Sequence, residues 1–135
     1  MKNTGSCLCK QVTFEVTKFQ GPIGHCHCTM CQKFHGAAFS TFVEAKECDL
    51  IWLSGKELLT QYCAENESIR TFCCCCGSSL LFQSKYNRQE QTIEIALGAF
   101  DSLKSIRVDA HIYTESKADW YDINDNLPQH RRYRR

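Results

Sequence analysis

Three cysteine clusters are the part of this sequence best equipped for chemistry: Cys7-Leu8-Cys9, Cys26-His27-Cys28-Thr29-Met30-Cys31 and Cys73-Cys74-Cys75-Cys76-Gly77. Zinc takes four ligands in a tetrahedron, with sulfur at about 2.3 Å, and cysteines at short spacing on a tight turn fill two adjacent corners. Cys73 and Cys76 followed by Gly77 form such a half-site, the glycine permitting the positive φ that turns backbone amides toward the sulfurs. Seven cysteines stand at ligand-like spacing: Cys7, Cys9, Cys26, Cys28, Cys31, Cys73 and Cys76. Seven does not divide into two closed four-thiolate sites, but it divides into four plus three. Structural zinc sites are closed by four protein ligands, whereas catalytic sites hold three and leave one position open. Cys26, Cys28 and Cys31 make the natural open set, and Cys7 and Cys9 would join Cys73 and Cys76 in the closed one. Spacing alone leaves a rival partition standing, in which both sites are structural and His25, His27 or His35 completes the second tetrahedron. In an extended segment His25 and His27 face away from Cys26 and Cys28, so His35 is the best candidate for that fourth place.

Thiols rather than disulfides are the expected state of these cysteines. The opening stretch from Met1 to Ser6 lacks the apolar core of a secretory leader, so the chain is read as cytoplasmic, where disulfides are rare. The count of 11 is odd, and Cys7/Cys9 and Cys26/Cys28 are too close in sequence for unstrained pairing. Cys48 and Cys63, alone on strand-like segments, read as buried small hydrophobes. Trp52, Trp120, Phe39 and Phe42 read as core or pocket wall.

The elements that must position these clusters read as short strands. Val12, Phe14 and Val16 alternate with Gln11, Thr13 and Glu15, which is the period of a half-wet strand. Residues 37–43, 50–53, 58–63, 69–72, 79–83, 92–97 and 111–113 read likewise, with a turn expected at Gly21-Pro22. Only 29–34 and 115–120 look helical, so the class is mainly β with short helical turns. At 135 residues the chain is one domain by size, taken here as residues 1–128, followed by a basic tail at 129–135. No apolar run approaches the roughly 18 residues of a membrane helix. Sixteen basic against 15 acidic residues give a net charge of +1, which provides no global field for nucleic acid or anionic membrane. The tail alone, with four arginines in its last five residues, admits a minority reading as a handle for nucleic acid or an acidic partner, against the ordinary reading of a frayed terminus.

Taken together, Gly5-Ser6-Cys7-Leu8-Cys9, Cys26 to Cys31 with Gly36 and Phe39, Trp52-Leu53-Ser54-Gly55, Arg70-Thr71-Phe72-Cys73 to Cys76-Gly77, Leu97-Gly98, His111-Ile112, Trp120 and Leu127-Pro128 resemble the glutathione-dependent formaldehyde-activating family, including its centromere protein V type. The resemblance spans nearly the whole chain in one order. It implies a β-tent fold of several coiled antiparallel sheets stapled by zinc, with two zinc ions per chain. By the same resemblance, Cys7, Cys9, Cys73 and Cys76 hold a structural zinc, and Cys26, Cys28 and Cys31 hold a catalytic one. The activity implied is that of a carbon–sulfur lyase of the S-(hydroxymethyl)glutathione synthase type, with a thiol–aldehyde adduct as substrate and glutathione as co-substrate. Lys33, Arg70 and Lys10 are the candidate cations for an anionic thiol substrate. Two departures stand out. Lys10 replaces the glycine usual after the first Cys-x-Cys, so the turn there is expected to avoid positive φ. Cys74 and Cys75 fill the middle of the last knuckle. A second function class remains alongside the enzyme: a non-catalytic zinc module whose basic tail engages a partner.

Overall fold

The computed structural model describes residues 2–134. In chain order the strands are β1 (Asn3–Ser6), β2 (Thr13–Val16), β3 (Gln20–Cys26), β4 (Ser40–Lys46), β5 (Leu50–Ser54), β6 (Leu59–Cys63), β7 (Ile69–Cys73), β8 (Ser79–Gln83), β9 (Thr92–Ala96), β10 (Phe100–Ser102) and β11 (Ala110–Ile112). Two short α-helices join them among the described residues, α1 (Thr29–His35) and α2 (Lys85–Glu90), so the protein is mainly β. Among the described residues no helix is long and apolar enough to cross a membrane.

The described chain falls into two compact units. The first runs through Gly21 and from Val43 to Ile106. Its smaller sheet has the order β10-β1-β2-β5, all antiparallel. The expected alternation in β2 holds, with Phe14 and Val16 buried and Thr13 and Glu15 partly wet. Phe14 meets Trp52 and Phe100 edge-on, with ring centroids 5.9 and 5.3 Å apart, the offset geometry that aromatic quadrupoles favour. Strands β6, β7, β8 and β9 form the antiparallel ladder of the other sheet in this unit, with the buried Leu80, Leu81 and Ile95 on their inner positions. Helix α2 was not legible from apolar spacing because it buries little beyond Asn87. What holds it is a capping box, in which Ser84 accepts from the Asn87 N–H and the Asn87 side chain accepts from the Ser84 N–H.

The turn after β5 explains the Trp52 to Gly55 motif. Ser54 Oγ donates to the Gln11 carbonyl at 2.9 Å, and Gly55 sits at φ 76° against the same carbonyl. A Cβ on Gly55 would lie 2.3 Å from that oxygen. Gly55→Ala is therefore expected to destabilise the protein by about 2–3 kcal/mol or more, the sum of left-handed strain and a backbone clash. Denaturant unfolding of the two proteins checks this, and an unchanged midpoint would contradict it.

In the second unit, which holds Pro22–Phe42 and the described residues from Arg107 onward, β11 pairs in parallel with β3 through Ala110–Gly24, His111–His25 and Ile112–Cys26. The expected turn at Gly21-Pro22 is instead part of β3. Gly21 takes φ 67°, in the left-handed region open to glycine, directly before Pro22 in the strand. The described residues of the basic tail, 129–134, are hydrogen-bonded rather than frayed; Arg135 lies outside the described residues. His130 N–H donates to the His111 carbonyl, and the Tyr113 N–H donates to that of Arg132, both at 2.9 Å. Arg131 and Arg132 pair with Glu115, and Arg134 pairs with Asp109.

Candidate metal-binding thiol sites

The first unit gathers Cys7, Cys9, Cys73 and Cys76, whose sulfurs all lie within 4.8 Å of one another. Cys7 and Cys9 come from the loop after β1. Its turn closes through the Lys10 N–H to the Cys7 carbonyl at 3.0 Å, and the Val12 N–H points at Cys7 Sγ at 3.3 Å. Lys10 itself takes φ 69°, contrary to the expectation that a non-glycine residue would avoid the left-handed region. The turn demands it, at the modest cost a lysine bears there. Cys73 ends β7, and Cys76 follows in a turn closed by the Gly77 N–H to the Cys73 carbonyl at 2.8 Å, with Gly77 at φ 76° as expected.

Ser78 joins the two halves. Its hydroxyl oxygen accepts the Leu8 N–H at 2.9 Å and lies 3.2 Å from Cys76 Sγ. Hydrogen bonding by that hydroxyl, then by the Ser78 backbone, draws the Cys76 thiol down to about 5. Cys9 moves the other way, to about 12, because burial and the neighbouring thiols outweigh the Gln11 backbone N–H. Ser78 was missed in the sequence, where its only signal was a hydroxyl two residues beyond a knuckle cysteine.

The geometry suits zinc. A tetrahedron with Zn–S of about 2.3 Å has edges of about 3.8 Å. The Cys7–Cys9 and Cys9–Cys73 sulfur separations are 3.5 and 3.9 Å. Four soft donors at that spacing, with no disulfide among the 11 cysteines, make a donor set for a closed site.

The second unit gathers Cys26, Cys28 and Cys31, again with sulfurs within 4.8 Å of one another. Cys26 is the last residue of β3 and Cys28 is the N-cap of α1. Cys31 stands in the first helical turn, where its N–H donates to Cys28 Sγ at 3.3 Å. The Cys-x-x-Cys spacing is thus a helix cap written in sulfur, from N-cap to third helical residue. Gly36 ends the helix at φ 60°. The neighbouring thiols of Cys28 and Cys31, with burial, push the Cys26 thiol far up, and a bound cation would offset that penalty.

No histidine joins either thiol group among the described residues. His35 packs its ring on Phe34 and Phe42, each 5.2 Å away, so the fourth-ligand role considered for it is not realised. His25 donates to or accepts from Thr41 Oγ1 at 2.7 Å. His27 is fully buried and belongs to a relay, with its Nε2 2.8 Å from His111 Nδ1 and His111 Nε2 2.9 Å from Asp125 Oδ2. The Asp125 carboxylate can only accept, which in the neutral relay places a proton on His111 Nε2 and another on His27 Nε2. Gln32 Nε2 and Ser116 Oγ both donate to the His27 carbonyl, at 2.8 and 3.0 Å, and clamp the corner between Cys26 and Cys28. Tyr113 also belongs to this neighbourhood, since burial and then the thiols of Cys26 and Cys28 raise its phenol.

Burial, then His111, lowers the His27 pKa to about 4. A base whose folded pKa is depressed contributes stability that is complete above the unfolded value of about 6.5 and is lost as pH falls toward the folded value. Stability is expected to drop by up to about 3 kcal/mol between pH 6.5 and 4 on this account. Unfolding measured across that window should show a shallower slope for His27→Gln at the same zinc concentration. Identical slopes would count against the assignment.

Other expectations fare less well. Cys48, Cys63 and Trp120 are exposed, because each lies on the outer side of a turn or edge element rather than in a core. Arg70 is 4% exposed with its guanidinium 4.8 Å over the Phe82 ring, so it cannot meet a substrate at the surface. Lys10 pairs with Asp101 at 3.8 Å in the first unit. Lys33, exposed on α1, is the one of these three cations in the unit of the three-thiol group. The open cleft of about 690 Å³ lined by Leu50, Trp52, Leu59, Leu81 and Ile93 contains no cysteine.

Fold and thiols together define a mainly β protein with two separate sulfur groups of metal-binding geometry, one of four and one of three. The chain belongs to the glutathione-dependent formaldehyde-activating enzyme family, whose model matches residues 2–116. It is 26% identical over 119 residues to an uncharacterized lyase of Schizosaccharomyces pombe, covering 88% of this chain and 83% of the relative. It also shares its fold with a Rhodobacter sphaeroides protein of known crystal structure, with a TM-score of 0.62 and 24% identity over 75% of this chain and 90% of that one.

Proposed function

We propose that the protein is a zinc-dependent carbon–sulfur lyase that cleaves, and in reverse forms, a thiol–aldehyde adduct such as S-hydroxymethylglutathione. Membership of the family and a lyase-named relative support lyase chemistry. The observation that carries the finer reading is the unequal sharing of sulfur: four thiols converge in one group and three, without a histidine, in the other.

In this reading Cys7, Cys9, Cys73 and Cys76 hold a structural zinc, and Cys26, Cys28 and Cys31 hold the catalytic one. Zinc bound there supplies a Lewis acid and lowers the pKa of a substrate thiol. The chain does the rest. The helix cap and the clamp on the His27 carbonyl would fix the three sulfurs, and Lys33, exposed on α1, would supply the cation for an anionic thiol. Residues 1–128 act as one functional domain, with 129–135 as its basic extension, in the cytoplasm.

Elemental analysis of protein purified without chelators should give about two zinc per chain, one surrendered readily to a chelator and one retained. Cleavage of the adduct, followed by release of aldehyde, should track the labile zinc. A single inert zinc, with aldehyde release no faster than in buffer, would instead support a non-catalytic module.

A further inference from the structure

The two cysteines left between the ligands of the first group do not behave as filler. Cys74 and Cys75 are both exposed, their sulfurs lie 3.9 Å apart, and neither belongs to the four-sulfur group. Consecutive side chains in a turn ordinarily diverge; these two converge. The turn beneath them is anchored, since the Cys74 N–H donates to the Leu58 carbonyl at 2.9 Å and the Gly77 N–H to that of Cys73 at 2.8 Å. We infer that Cys74 and Cys75 form a vicinal dithiol site that captures trivalent, thiophilic metalloid species, separately from the four-thiol group whose spacer they occupy.

The geometry favours an inserted atom over a direct disulfide. Adjacent Cα atoms are about 3.8 Å apart across a trans peptide, below the roughly 4.4–6.8 Å that unstrained disulfides span. A soft trivalent centre bridging the two sulfurs leaves them near their present separation, and soft centres prefer sulfur donors. With an arsenic(III) oxide of the type R–As=O, two sulfur–arsenic bonds form and the two S–H bonds break. The oxide oxygen leaves with both protons as water. Arsenic stays trivalent and the cysteines are not oxidised, so no oxidant or reductant is needed. Cys48 and Cys63, the other exposed cysteines outside the metal-binding groups, have no adjacent cysteine in the chain and offer one sulfur each.

Phenylarsine oxide on zinc-saturated protein tests this, with intact mass and zinc content read after a wash in excess monothiol. One phenylarsenic group per chain is expected to persist with zinc content unchanged. Cys74→Ser and Cys75→Ser should each release it about a hundredfold faster, because a chelated ligand becomes monodentate. Cys48→Ser and Cys63→Ser should retain it. Retention in both the Cys74 and Cys75 variants, no adduct on the zinc-loaded protein, or an adduct formed only as zinc is expelled would each overturn the inference. Capture here is independent of turnover at the three-thiol group, so failure of the lyase reading leaves the result interpretable.

Discussion

On the lyase reading proposed above, Cys28→Ser is expected to leave a folded protein that melts within a few degrees of the parent and cleaves the thiol–aldehyde adduct at least about a thousandfold more slowly. Both halves of that expectation come from the same atom. Cys28 Sγ accepts the Cys31 N–H at the head of α1, and serine is a better N-cap than cysteine, so the local structure survives the exchange. What is lost is a sulfur donor from a group of three, which on that reading leaves too few donors to hold zinc against solvent. The measurement pairs a thermal melt with aldehyde release and zinc content. A variant of full activity would remove the three-thiol group from the chemistry.

Cys73→Ser should do the opposite, costing the fold itself. Cys73 is fully buried at the end of β7, opposite Leu59 of β6, and its carbonyl accepts the Gly77 N–H that closes the turn into β8. Its sulfur is also within the group that ties the loop after β1 to this hairpin. Structural zinc is worth folding free energy outright, and losing one buried ligand is expected to destabilise by about 3–5 kcal/mol or more, enough to unfold many domains of this size at 37 °C. Circular dichroism melts at matched zinc concentration check this. The two variants must differ: equal melting temperatures and equal residual activities for Cys28→Ser and Cys73→Ser would dissolve the division between a structural and a catalytic group.

The contrast between these two variants also marks where local sequence stops being informative. Strand β2 was legible because the alternation in Val12–Val16 records a face buried against neighbours, whereas β8 and β9 showed through their apolar content, with Leu80 and Leu81 buried side by side and Ile95 beside Ala96. Helix α2 escaped because its stability comes from the Ser84–Asn87 cap and from Asn87 and Thr92 donating to Glu44, contacts without apolar periodicity. Strand β1, Asn3-Thr4-Gly5-Ser6, and the edge strand β10, Phe100-Asp101-Ser102, escaped because the first has no apolar side chain and the second has one, too few to show an alternation.

Sequence alone determined the donor chemistry of this protein: which seven cysteines stand at ligand spacing, that they divide unequally, and which family carries that order of motifs. Spacing can do this because a knuckle or a helix cap is built within a few residues, where the backbone leaves few options. Tertiary structure decided everything that depends on distant segments meeting. It set Ser78 between two cysteine turns and buried Arg70 under Phe82. It also threaded His27 to Asp125 through His111, and turned His35 onto aromatic rings instead of toward the thiols. Those outcomes follow from packing and from the need to pair buried polar groups, and neither is written in the spacing of neighbouring residues.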